Sequence, residues 1–215
     1  MKQDAKTQVP RSPRKTRIPD RAEPLLEGRL REILDRATDL FDQYGYVNVA
    51  MEDIAKAVGV RKPTLYHYVR SRDYILFLVH QEFMDLVIGR EQARMGHPET
   101  PTERLTEVIA DILELMESHR GHVRVFFEHH RELASQYKQT IQAKRDYYES
   151  AVEDLIRSGI SSGEFRSVDP RLAALALFGM CNWAYQWYQK GGSLTTREIA
   201  HGFADLLFCG IKTPT

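Results

Sequence analysis

The sequence predicts an all-α fold of about nine helices. Apolar residues recur at intervals of three and four through most of the chain, the period of one helix face. Alternation of apolar and polar residues, the mark of a half-buried strand, never lasts more than a few positions. The breaks between periodic runs are Gly, Pro and Ser/Thr/Asp, the residues that end or begin helices. At 215 residues and 42% hydrophobic, the chain has apolar mass for one large domain or two modest ones.

Residues 1–24 carry seven basic residues, three acidic ones and four prolines with almost no apolar periodicity, so a disordered basic tail is expected there. From about Glu27, Leu30, Ile33, Leu34, Ala37, Leu40, Phe41 and Tyr44 form a first helical stripe, with Gly45 as its left-handed cap. Met51, Ile54, Ala55 and Val58 make a short second helix that stops at Gly59. Pro63 is tolerated in a first turn and opens a third helix through about Val69, entered at Arg61 or Lys62. A Ser71-x-Asp73 junction starts a long amphipathic helix from Arg72 to about Arg94. After Gly96, Pro98 and Pro101, helices are expected over Thr102–His119, Gly121–Ser135 and Gln136–Ser161. Asp169-Pro170 begins an almost wholly apolar stretch that Gly191-Gly192 ends, and Thr195 or Thr196 with Glu198 forms a capping box for a last helix through Cys209.

Net charge is zero, yet it is polarised: residues 1–70 hold 14 Lys/Arg against 10 Asp/Glu, and the remainder 16 against 20. A positive end is what attraction to phosphates requires, whatever the total. Cys181 and Cys209 lie far apart, which argues against a zinc site or disulfide framework and fits a reducing, cytoplasmic setting. No apolar run is long enough for a membrane span and no apolar signal core opens the chain. His129-His130 with Glu128 and Glu132 do not converge as metal ligands, because adjacent positions diverge by about 100° on a helix. Neither a G-x-S-x-G elbow, a P-loop nor a dinucleotide fingerprint is present, so the expectation is no catalysis, no cofactor and no metal.

Residues 59–69, GVRKPTLYHYV, carry the chemistry. Two short helices joined by a tight Gly turn, the second rich in cations and hydroxyls, describe a helix-turn-helix. Ile54, Val58, Val60 and Leu65 would pack the angle, leaving Lys62 and Thr64 facing a groove and the polar tips of Tyr66, His67 and Tyr68 free for phosphate oxygens. The run AMEDIAKAVGVRKPTLYHYVRSRDYIL resembles the DNA-binding domain of the TetR family of transcriptional regulators, whose signature D-I-A-x-x-x-G-V-x-x-x-x-L-Y-x-Y-F-x-S-K is matched at Asp53-Ile54-Ala55, Gly59-Val60, Leu65-Tyr66, Tyr68 and Ser71. Ala50 replaces the usual capping Ser/Thr, Val69 a Phe and Arg72 a Lys. The resemblance implies operator contacts by Lys62, Thr64, Tyr66 and Tyr68, with Arg61 and His67 as neighbours. It implies a DNA-binding domain over residues 25–71, an effector-binding and dimerisation domain over 72–215, and a homodimeric repressor released from a palindromic operator when an apolar effector tilts the helix from Arg72.

The last two helices offer a dimer seam through Leu172, Leu175, Phe178, Trp183 and Trp187 on one and Ile199, Phe203, Leu206 and Leu207 on the other. FGMCNWAYQWY resembles the matching segment of family members that control bacterial lipid and steroid catabolism, including cholesterol ring degradation, and respond to acyl-CoA thioesters. That resemblance favours an apolar pocket lined by Phe126, Phe127, Tyr147, Met180, Trp183 and Trp187, with Arg120, Arg124, His130 and Arg131 for an anionic head. Two alternatives stay open. Acidic residues in the cavity would favour a sensor of cationic drugs, and a collapsed core would favour an effector-free architectural DNA-binding protein.

Overall fold

The computed structural model describes residues 23–211; the tail expected over 1–24 falls outside them apart from its last two positions. The described residues form nine α-helices and no strand. They are α1 (Glu23–Tyr44), α2 (Met51–Val58), α3 (Lys62–Leu65), α4 (Arg72–Ala93), α5 (Pro101–Ser118), α6 (Arg120–Glu128), α7 (Ser135–Ser161), α8 (Pro170–Trp183) and α9 (Thr196–Ile211). Single 3-10 turns lie at Tyr46–Asn48, His130–Glu132 and Ala184–Gln186. One apolar cluster runs through the molecule, from Ile33 and Phe41 on α1 to Leu207 and Phe208 on α9. α4 is the shared element: it packs on α1, α5, α6 and α7, while α5 lies on α9 and α7 on α8.

The ends of the helices follow from their local chemistry. Ser71 Oγ accepts the Tyr74 N–H at 3.1 Å and so starts α4. Thr100 with Glu103, and Thr195 with Glu198, form reciprocal capping boxes. Gly59, at φ 73° and ψ 32°, ends α2 in a Schellman turn, with Val60 N–H bonded to Ala55 O and Gly59 N–H to Lys56 O. Ala50 has no side-chain acceptor, so only half of the box at α2 survives: its own N–H donates to Asp53 Oδ2 at 2.8 Å. The absent half costs about 1 kcal/mol.

Four expectations need correction. Gly45 does have positive φ, 78°, but its ψ of 142° is extended instead of left-handed helical. α3 ends at Leu65, not Val69, because the N–H groups of His67 and Tyr68 shift to the carbonyls three residues back. The helix expected to reach Ser135 stops at Glu128, since Leu133 and Ala134 adopt extended backbone that drops Leu133 into the core. α8 ends at Trp183, where a 3-10 turn and an irregular segment bury Tyr188.

A half-buried ion cluster ties α4, α5 and α9 together. Arg94 bonds Asp111 at 2.9 Å, Arg104 bonds Glu91 at 2.5 Å, and Arg197 reaches both Glu107 and Glu114 at 2.7 Å.

Candidate nucleic-acid interface and internal cavity

The segment expected to read DNA stands on a buried base. Ile54, Val58 and Leu65 are in the core and Val60 packs against it, so the turn between α2 and α3 is set by apolar packing. Arg61, Lys62, Pro63, Thr64, Tyr66 and His67 face outward, Tyr66 with 45% of its surface exposed. Tyr68 is half-buried against the core with its neighbour Val69 fully inside. The Lys62 ammonium is paired with the Glu52 carboxylate of α2, which holds its pKa above the ordinary lysine value. Both groups are exposed, so the pair is readily exchanged for another anion.

Arg72 and Tyr46 are among the residues that hold this head on the rest of the molecule. Arg72, at the start of α4, donates to the carbonyls of Val49 and Val47 at 2.8 and 3.2 Å and lies over the Tyr46 ring at 4.4 Å. The Tyr46 hydroxyl donates to Asp73, and burial with that bond pushes its pKa up to about 12. A second junction joins α1 to α6, where Arg124 pairs with Asp42 at 3.1 Å. Beyond it, Arg70 lies over Tyr74, and Phe77 stacks on Tyr137 of α7 at 4.5 Å.

A cavity of about 150 Å³ lies between α4, α5, α6, α7 and α8. Phe83, Met84, Val87, Ile112, Phe126 and Phe127 give it apolar walls; Arg145, Glu149 and Asn182 add polar groups. Tyr148 also lines it, and its hydroxyl is buried without a hydrogen-bond partner, which drives its pKa upward. Outside, a groove of about 600 Å³ shares Phe126 and Arg145 with the cavity.

The sequence-derived pocket residues divide. Phe126 and Phe127 line the cavity, and His130 and Arg131 line the groove. Arg124 is committed to Asp42 and Glu128, and Arg120 sits over a closed crevice beside Met116 and Tyr185. Tyr147 points outward and accepts from Gln92 Nε2 at 3.0 Å; Met180, Trp183 and Trp187 line neither hollow. Tyr148, the tyrosine that lines the cavity, was legible: it stands seven residues from both Ile141 and Leu155, on the buried stripe that Tyr147 leaves. The α4 wall and the groove residues His80, Lys138 and Arg145 carry no comparable local signal.

The expected seam divides likewise. Leu172, Leu206 and Trp183 are 68%, 69% and 63% exposed, and Leu175 and Trp187 are exposed as well. Phe178 and Phe203 are half-buried, with Phe203 meeting Trp187 edge-on at 6.3 Å. Ile199 and Leu207 are buried within the chain itself, against α5, and do not belong to the outer face. Helical spacing alone does not tell which of two apolar stripes faces out. Among the described residues no group of His, Cys, Asp or Glu is arranged to hold a metal ion, and no helix is long and apolar enough to cross a membrane.

Residues 33–79 match the family model for bacterial regulatory proteins of the tetR family, and residues 98–211 that for the tetracyclin repressor-like C-terminal domain. The chain is 25% identical over 194 residues to the HTH-type transcriptional repressor KstR2 of Mycobacterium tuberculosis, covering 89% of this chain and 97% of the relative. It is 25% identical to the fatty acid metabolism regulator protein of Bacillus subtilis, covering 84% and 94%. The structure of AibR in complex with isovaleryl coenzyme A and operator DNA superposes with a TM-score of 0.76 at 29% identity, over 84% of this chain and 98% of that one. An outward cationic segment on a buried helix-turn-helix, followed by a helical bundle and matched by both family models, leaves one conclusion: the chain belongs to the tetR family of bacterial regulatory proteins and is a transcriptional regulator, not an enzyme.

Proposed function

We propose that the protein is a homodimeric repressor that binds a palindromic operator through Arg61–Tyr68 and is released by a small acyl thioester. The observation that carries this reading is the position of α4. One end of the helix begins at Ser71, directly after the reading segment, and Phe83, Met84 and Val87 farther along form a wall of the cavity. A ligand that pushes on that wall moves the reading head, within the limit set by its differential affinity for the two states. Two copies are needed because one helix-turn-helix offers few base contacts, and the exposed Leu172, Trp183 and Leu206 face supports a seam between them.

The effector class follows from size and chemistry. An apolar hollow of about 150 Å³ takes a benzene-sized group. A short branched acyl chain or a single ring fits; a multi-ring steroid skeleton requires the walls to move. The Tyr148 hydroxyl is a donor in search of an acceptor, as a thioester carbonyl provides. The presence of a cavity speaks against an effector-free architectural protein. Glu149 keeps a cationic drug as the second reading, although it already lies 3.7 Å from Arg171. The test is a gel shift of the DNA upstream of the protein's own gene, titrated with isovaleryl-CoA, isovalerate and a cationic dye. Release by the thioester alone is expected; release by the dye alone would transfer the assignment to the drug sensor.

A further inference from the structure

The groove outside the cavity has a chemistry of its own. Arg131, Lys138 and Arg145 all line it, against a single carboxylate, Asp146, which is already bonded by Gln142 Nε2 at 2.7 Å. None of the three cations has an ion pair among the described residues: Lys138 donates to the Arg131 carbonyl at 3.2 Å, and Arg145 lies 5.7 Å over Phe126. Other cations on these helices are neutralised, Lys144 by Asp85, Arg157 by Glu153 and Asp154, and Arg124 by Asp42 and Glu128. Unpaired like charges gathered on one concave surface focus a positive potential and attract a multivalent anion.

The floor of the groove supplies the second observation. His80 is wholly buried, and its Nδ1 lies 2.9 Å from the Leu76 carbonyl. A carbonyl only accepts, so Nδ1 carries the hydrogen and Nε2 is left as a lone-pair acceptor, buried and without a partner. An orphaned acceptor of this kind is matched by a ligand N–H or O–H, not by a phosphate. The unmet groups are therefore a donor, Tyr148, in the cavity, an acceptor, His80, in the groove, and three cations in the groove, of which Arg145 also lines the cavity. Phe126 and Arg145 are common to both hollows, so a ligand passing between them crosses that pair.

We propose that the groove seats the arm of a coenzyme A thioester whose acyl group fills the cavity: Tyr148 donates to the thioester carbonyl, His80 Nε2 accepts an amide N–H, and Arg131, Lys138 and Arg145 hold the phosphates. This rests on the acyl-thioester reading above and deepens it, because a free acid or a bare thioester leaves the cations unused. The protein then distinguishes activated acyl groups from free acids by their phosphates.

The test measures affinities of the full chain and the Arg131→Ala/Lys138→Ala variant for isovaleryl-CoA, S-isovaleryl pantetheine and free CoA by titration calorimetry. The pantetheine ester has the acyl group and both amides but lacks the nucleotide and its phosphates. The expected result is a loss of roughly 10- to 100-fold for isovaleryl-CoA and CoA in the variant, with S-isovaleryl pantetheine unchanged. Arg157→Ala, a cation paired at the far end of α7, leaves all affinities intact, and thermal melts check that each variant is folded. Unchanged binding of isovaleryl-CoA to the double variant overturns the groove while leaving the acyl reading in place. If CoA binds the wild type and is lost in the variant but isovaleryl-CoA binds no better than CoA, the groove stands and the acyl reading fails. No binding of any probe to the wild type overturns both.

Discussion

At the scale of single residues, function rests on groups whose partners are absent or exchangeable. Lys62 is paired with Glu52, and on the proposed reading a phosphate replaces that carboxylate. In the proposed dimer Lys62→Ala should weaken operator binding and lower the slope of log affinity against log salt by about 1.8, one phosphate contact in each half-site, as read by fluorescence anisotropy. Equal slopes in the two proteins would remove Lys62 from the interface. His80 makes a separate prediction about stability. Burial, with smaller contributions from His130, His129 and Arg145, lowers its pKa from 6.5 to about 4. Between those values the unfolded chain binds a proton that the folded chain refuses, so stability falls as pH falls through the window. His119 and His122 are lowered by burial too and act in the same direction. Between pH 7 and 4.5, His80→Leu should lose about 2 kcal/mol less than the wild type in urea melts. Such groups are only partly legible in sequence. The signature around Gly59 marked the reading segment, whereas an orphaned Nε2 depends on which neighbours the fold brings near.

At the scale of elements, the sequence was informative wherever local chemistry decides an end. Caps at Thr195 and Ser71 and the Schellman turn at Gly59 act through neighbours within a few positions, so they are visible in a window of residues. The ends of α3, α6 and α8 were missed for the opposite reason. Leu133 and Tyr188 are drawn into a core made by distant helices, and the chain leaves the helix to bury them. Arg72 belongs here as well: one guanidinium nitrogen binds two carbonyls of the α1–α2 connection while the planar group lies over the Tyr46 ring, a stacking that the more usual lysine does less well. Gly159 fixes the end of α7. A Cβ built there falls 2.2 Å from the Phe165 ring, which itself stacks on Phe208 of α9. Gly159→Ala should therefore destabilise by about 1–3 kcal/mol despite the better helix propensity of alanine, measured as a lower melting temperature. A higher melting temperature would mean that Phe165 gives way freely.

At the scale of the whole molecule, the reading head, the cavity and the exposed α8–α9 face have to work as one device. Four carboxylates of the later chain, Glu91, Glu107, Asp111 and Glu114, are paired with Arg90, Arg94, Arg104 and Arg197, while the groove cations Arg131, Lys138 and Arg145 have no ion pair among the described residues. The all-α class and the helix-turn-helix were legible, while the cavity was not, since its walls come from five helices and only two of its lining residues were anticipated. Leu206→Glu, a charge placed on the outer face, should convert the protein to a monomer by light scattering and cost at least about tenfold in operator affinity. A persistent dimer would move the seam elsewhere. Coupling between the two ends of α4 is reciprocal by thermodynamic necessity: if the thioester weakens operator binding by some factor, operator weakens thioester binding by the same factor. The most direct measurement is the affinity of the full-length protein for isovaleryl-CoA, taken by calorimetry with and without saturating operator. A loss of roughly 5- to 150-fold in the presence of DNA is the predicted result, and equal affinities in both conditions would contradict the account.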